Sequence, residues 1–332
     1  MCIRDRVSTY EKQILSKQKE VKNVLAANNI QTFSTGDDDK SEASYQFTTV
    51  MNGFSTYVRS EDINKIKKLR DVKEVYYVSE YNRPSEFPAM ITSGGLINTN
   101  EAWNFGYKGE GMVVSVLDSG YDMNHKDFKN IDSSKISLTK DKVDRSKKLY
   151  NLPGKYYTDK FPYAYNYYDK TDRIISTINN HGQHVAGTVA ANGDTENGGI
   201  KGVAPEAQLL GMKVFSDDPL YSTTMSDVYV KAIDDSVKLG ADAINMSLGS
   251  PAGTNIYGSL EDVAINNARN AGVIVAIAAG NEHTIIDGVG NVRDLLIGSQ
   301  ELPYAKNPDT AMIASPSIYT ADLSVASVSY TH

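Results

Sequence analysis

Residues 112–120 read MVVSVLDSG. Six uncharged, mostly apolar residues run without a break and stop at an acid and a glycine. A run this continuous fits a strand buried on both faces, as in a parallel sheet, better than a half-exposed strand with alternating polarity. Three later stretches have the same character: AQLLGMKVF (207–215), ADAINMSL (241–248) and GVIVAIAAG (272–280). Helical patterns lie between them at 186–191, 224–239 and 259–271. Strand alternating with helix predicts an α/β domain, a doubly wound parallel sheet.

Working outward, residues 84–100 hold Pro84, Pro88, Gly94 and Gly95 and few charges, the composition of a linker. Before it the pattern differs. Residues 11–27 have helical periodicity, with Ile14, Leu15, Val21, Val24 and Leu25 on one side. YQFTTVMNGFSTYV (45–58) alternates like one strand or a bent pair turning at Asn52-Gly53. Residues 60–72 predict a short helix with Ser60 as its cap, and KEVYYVSEY (73–81) predicts a strand. Helix, strands, helix, strand in about 80 residues suit a small α+β module. Residues 129–180 separate two core elements as a long insertion, Lys-rich at 135–148 and Tyr-rich at 150–168. It is expected to be a loop packed on its own surface; a binding rim is the rival reading.

The net charge of −7 argues against nucleic acid as the main partner. The acid is unevenly placed: residues 7–90 balance at 12 Lys+Arg and 12 Asp+Glu, so the excess lies beyond the linker. No apolar run has the length of a membrane span. The one cysteine, Cys2, has no partner within the chain, so cysteine leaves the compartment open.

Ligands in a doubly wound sheet sit beyond the carboxyl ends of the strands. Asp118 ends one strand, Asn281 follows another, and His181 opens a helix after the insertion. This set suits nucleophilic catalysis. A serine hydroxyl is a poor nucleophile until a neutral imidazole takes its proton, and a carboxylate must hold that imidazole in one tautomer and stabilise its charged form. Asp118 and His181 take those roles, and the Asn281 carboxamide is the candidate oxyanion donor. A metal pair at His181 and His184 is the weaker alternative, because HxxH lacks the i, i+4 spacing of a zinc helix and few further ligands are at hand.

DSG (118–120), HGQHVAGTVAA (181–191), GVAPEAQLLGMKV (202–214), INMSLGS (244–250) and AAGN (278–281) together resemble the subtilisin family of serine proteases across residues 98–327. GYKGEGMVV, YAYNYYD and SPSIYTADLSVAS lean toward the lactocepin-type cell-envelope proteinases within it. The resemblance implies a serine endopeptidase of Asp-His-Ser mechanism, acting on proteins or peptides and secreted or wall-associated. By the same resemblance Ser247, Leu248 and Gly249 form the strand that pairs with substrate, with a second edge near Ser222–Thr224. Ala278, Ala279 and Gly280 line the opposite pocket wall. The chemistry needs no cofactor. Calcium is implied as a structural ion, with Asp127 as ligand and NGDTENGG (192–199) as the neighbouring loop; a plain polar turn there is the equal alternative.

Residues 7–83 resemble a subtilisin-type propeptide without its first strand. That implies an intramolecular inhibitor, released by a cut within 84–97. The family's GTSxA motif with its nucleophile is absent from residues 1–332. MCIRDR at the start and VSYTH at the finish resemble translated adapter sequence. Residues 1–6 and 328–332 are therefore expected to be non-native tails, and the chain an inactive fragment that ends before its serine. A non-catalytic binding protein on the same scaffold is the alternative.

Overall fold

The computed structural model describes residues 3–33, 44–83, 97–129, 131–220, 223–250, 253, 255–280, 313–319 and 322–326. In the leading module, α1 (Ile3–Ala27) packs Leu25 against Ile30 and Ile66. Strands β1 (Tyr45–Phe47) and β2 (Gly53–Ser55) pair antiparallel, Phe47 opposite Gly53. The bent pair is present, but its connection is the five residues Thr48–Asn52, with Asn52-Gly53 at the end of it. A 3₁₀ turn (Ser60–Asp62) leads into α2 (Ile63–Ile66). Ser60 does not cap it: Arg59 stands at the N-cap and makes no side-chain capping bond. The turn is held instead by Asp62, whose carboxylate meets Arg59 and Lys65. The strand expected over 73–81 is also shorter. Residues 73–79 are irregular, and only β3 (Glu80–Asn82) is strand, because that is where a partner edge exists.

Helix α3 (Thr99–Asn104) opens the second unit. Its sheet contains β4 (Val113–Asp118), β5 (Tyr163–Asn166), β6 (Gln208–Lys213), β8 (Ala243–Met246), β9 (Ile274–Ala278) and β10 (Leu323–Val325), in the order β10-β9-β8-β4-β6-β5. Every neighbouring pair is parallel. The remaining strand, β7 (Thr223–Met225), stands outside this sheet and pairs antiparallel with β3. Helices α6 (Ser226–Leu239) and α7 (Leu260–Asn270) fall where the pattern put them, while α5 (His181–Ala190) starts ahead of the expected 186–191. Leu117, Leu209, Leu210, Ile244 and Ile277 are all fully buried in the sheet, each stabilising by about 2 kcal/mol relative to exposure.

The insertion corrects the sequence reading. Residues 129–180 are not a loop packed on itself. They contain α4 (Lys140–Tyr150) and contribute β5, the edge strand beside β6. Tyr163 and Tyr167 are core, and its other tyrosines are half-buried against it. Tyr163 and Tyr167 are buried with their hydroxyls 3.3 Å apart. The Tyr163 hydroxyl accepts from Gly154 N (2.9 Å), and Tyr167 donates to Asp235 (3.0 Å). Buried phenols need such partners.

Candidate active site

Strand register sets the site. Leu117 lies opposite Met246, and Met246 opposite Ile277. The next residues, Asp118, Ser247 and Ala278, therefore emerge at the same carboxyl edge of the sheet. His181 reaches that edge from the start of α5. Gly182 permits the approach: a Cβ there would stand 2.7 Å from Gly120 O and 3.0 Å from Ser119 N. Gly120, at φ +141°, would itself strike Ile174 O at 2.5 Å if it carried a side chain.

The Asp118 side chain is fully buried and that of His181 is 18% exposed. His181 Nδ1 lies 2.9 Å from both carboxylate oxygens. Asp118 Oδ1 also accepts from Ser119 N at 2.6 Å. With Nδ1 facing the carboxylate, the proton carried there is fixed, and Nε2 is the nitrogen a general base uses. The carboxylate also stabilises the imidazolium that proton transfer creates. His184, one turn on, is half-buried; burial first, and the neighbouring His181 second, hold it below the usual histidine range.

The residues read as substrate-binding are brought together. Ser250 exchanges backbone bonds with Ser315 (2.8 and 3.0 Å), and Ala314 N donates to Ala279 O (2.9 Å). Residues 313–315 thus bind Ser247–Ser250 on one side and Ala278–Gly280 on the other. Leu248 is buried, the Ser247 hydroxyl accepts from Asn245 Nδ2 (3.1 Å), and a Cβ on Gly249 would meet Ala314 Cβ at 3.0 Å. Gly280 has φ +105°, a conformation that favours glycine. Asn281 lies outside the described residues, as does Ser222. Thr223 and Thr224 belong to β7, whose edge is occupied by β3 of the leading module.

Asp127 is buried, and its Oδ1 has no hydrogen-bond partner. The turn after α5 closes tightly over it: a Cβ on Gly193 would sit 1.9 Å from that oxygen, and one on Gly199 2.7 Å away. An orphaned buried carboxylate oxygen against a backbone turn fits a hard cation. Asp194 does not join it; its carboxylate binds Asn197 and Glu196 N and lies below the usual range for that reason. Among the described residues no three His, Cys, Asp or Glu side chains converge as a metal cluster.

Sequence reasoning missed the supports of the site. Ser119 Oγ accepts from Gly182 N (2.9 Å), and Asn179 Oδ1 accepts from His181 N (2.8 Å). It also missed Tyr81, buried at 3% exposure, which donates to Glu261 (3.0 Å) and stands edge-on to Tyr229. Burial, and then Glu261, raise the Tyr81 pKa. The signals were present: a hydroxyl inside DSG, and a tyrosine in a segment ending at a linker.

The model of the subtilase family matches residues 109–331. The PI-type proteinase of Lactococcus lactis subsp. cremoris is 38% identical over 299 residues, 89% of this chain and 15% of its own length. The C5a peptidase of Streptococcus pyogenes serotype M6 is 33% identical over 260 residues, 76% of this chain and 20% of its own. The chain thus spans about a sixth of the length of these relatives. Among solved structures, sphericase aligns at 30% identity with a TM-score of 0.37, over 53% of this chain and 47% of that one.

Proposed function

The chain belongs to the subtilase family, and from that premise we propose that it carries the catalytic Asp and His of a serine endopeptidase, preceded by its own inhibitory module. One observation carries the reading: a buried Asp118 carboxylate holding His181 Nδ1 at 2.9 Å at the carboxyl edge of the sheet. The nucleophile is not supplied by a GTSxA motif within residues 1–332. In a gene product that carries the family's serine, Asp118 orients His181. His181 takes the proton of the serine as it attacks the scissile carbonyl and returns it to the leaving amine. Asn281 is proposed as a donor to the oxyanion. The strand at 247–249 and the edge of β7 flank an extended peptide, whose backbone supplies most of the pairing. Asp118→Ala and His181→Ala in that product are each expected to lower kcat on a protein substrate by about 10⁴-fold or more. Activity within tenfold of the parent in either variant would refute the assignment.

The inhibitory role is supported by where the leading module lies. β3 pairs with β7, Tyr81 opposite Thr224. Arg83 Nη1 donates to Ser216 O (3.1 Å), and the Ser79 and Ser226 pair (2.8 and 2.9 Å) extends the contact. A segment in that position takes the edge a substrate needs. The maturation cut within 84–97 falls almost wholly outside the described residues. Two further parts of the reading remain proposals. Asp127 holds a calcium ion that stiffens the turn at 192–199. The mature protein is secreted or wall-associated, in keeping with its likeness to cell-envelope proteinases. No helix among the described residues is long and apolar enough to cross a membrane.

A further inference from the structure

Lys213 ends β6 directly opposite Asp118. Its side chain is completely buried, and burial lowers its pKa against the pull of Asp217. An ammonium is costly to bury, and no step of the proposed reaction uses one. Its bonds explain its place. Nζ donates to the carbonyl oxygen of Ser119 and to Asp217 Oδ1 (3.0 Å). Asp217 Oδ1 also accepts from Ser176 Oγ (2.8 Å), and Ser176 Oγ accepts from Asn179 N (3.2 Å). Asn179 Oδ1 then accepts both His181 N (2.8 Å) and Ser119 Oγ (3.0 Å). The path leaves the residue beside Asp118, crosses to β6, passes through the loop before α5, and returns to Ser119 and the backbone of His181. It is a closed ring.

We propose that Lys213 and Asp217 are positioning residues, which clamp the strand end bearing Asp118 to the loop that leads into His181. This rests on reading those two as the catalytic pair. The ring bears on the Asp118 carboxylate through Ser119 N, which donates to Oδ1 (2.6 Å), and on His181 through its backbone N, held by Asn179. It fixes the backbone within one residue of each, and so sets the separation of the two functional groups. A displacement of about 1 Å between reacting groups is enough to cost about 10²-fold in rate. A buried ammonium with a half-buried carboxylate, placed only to fill the sheet end, would not need bonds to both shoulders of the site.

The test needs no nucleophile. A proton held between His181 Nδ1 and Asp118 gives a far-downfield line in the proton NMR spectrum of residues 1–332. Selective ¹⁵N labelling of histidine identifies it and separates it from His184. Ser176→Ala opens the ring without changing a charge; it is expected to broaden this line and speed its exchange with water. Asp217→Ala is expected to abolish it, and Asp217→Asn, which keeps an acceptor oxygen, to restore it. An unchanged line and exchange rate in Ser176→Ala overturns the proposal, whatever the melting temperature does. If Asp217→Ala does not fold, Ser176→Ala decides alone. A parent chain with no such line has no ordered pair to clamp and also overturns it. Asp118→Asn is the separate control: a line that persists there sinks the catalytic reading of the pair, independently of the clamp.

Discussion

Lys160 carries a pH signature that a single substitution can test. Its side chain is buried, and Nζ donates to Pro205 O (2.8 Å) and Ala207 O (2.7 Å). Burial pushes its pKa down to about 7, with Glu206 pulling weakly the other way. The unfolded chain holds this proton up to about pH 10.4. Between those values the unfolded state binds more protons than the native one, so stability rises with pH across that window and levels off below it. Lys160→Met has no such term. Urea unfolding of parent and variant at pH 7 and pH 9.5 should show the parent gaining on the variant by up to about 1 kcal/mol per pH unit. A difference that does not change with pH would contradict the assignment of a lowered pKa. Neither this residue nor Lys213 was legible beforehand: a lysine in sequence looks like surface until its acceptors are known. Asp118 and His181 were legible because a strand end and a helix start each bring their own local signature.

At the scale of elements, α6 is the bearing on which the leading module turns. Asp234 is fully buried and accepts from Thr49 N (2.7 Å) and Val50 N (2.8 Å), while Lys238 reaches it at 2.8 Å. Removing one partner of a buried network leaves the others unsatisfied. Asp234→Ala is expected to weaken seating of the module by about 3 kcal/mol. Hydrogen exchange at the Thr49 and Val50 amides reads this directly, and unchanged protection would speak against it. The turn after α5 offers a second test. Asp127→Ala should erase any rise in melting temperature that calcium gives the parent chain; an equal rise in both would move the ion elsewhere. The four central strands were readable as continuous apolar runs. β5 was not, because YAYN looks like polar surface until the Tyr163 hydroxyl finds Gly154 and Tyr167. Residues 73–79 failed for the opposite reason. Their aromatic, β-branched composition suits a strand, but strand needs a neighbour, and only β7 provides one, at residues 80–82.

Across the whole molecule, the two units meet along a seam that takes in Glu11, Tyr45 and Arg83 on one side and Tyr167, Ser216, Lys238 and Asn267 on the other. Tyr81 anchors its far end against Glu261 and Tyr229. In a gene product that carries the family's serine, Tyr81→Ala is expected to shorten the latent period before a peptide substrate is cleaved. A latent period equal to that of the parent would leave the inhibitory role unsupported. The seam also has a consequence in time. Val50 O accepts from Asn267 Nδ2 (2.7 Å) across 217 residues of sequence, and Thr49 reaches Asp234 across 185. Synthesis delivers the amino terminus first, at about 5–20 residues per second. The leading module therefore leaves the ribosome many seconds before the helices it binds exist. α6 and α7 emerge only after every residue of the leading module that they bind has been made.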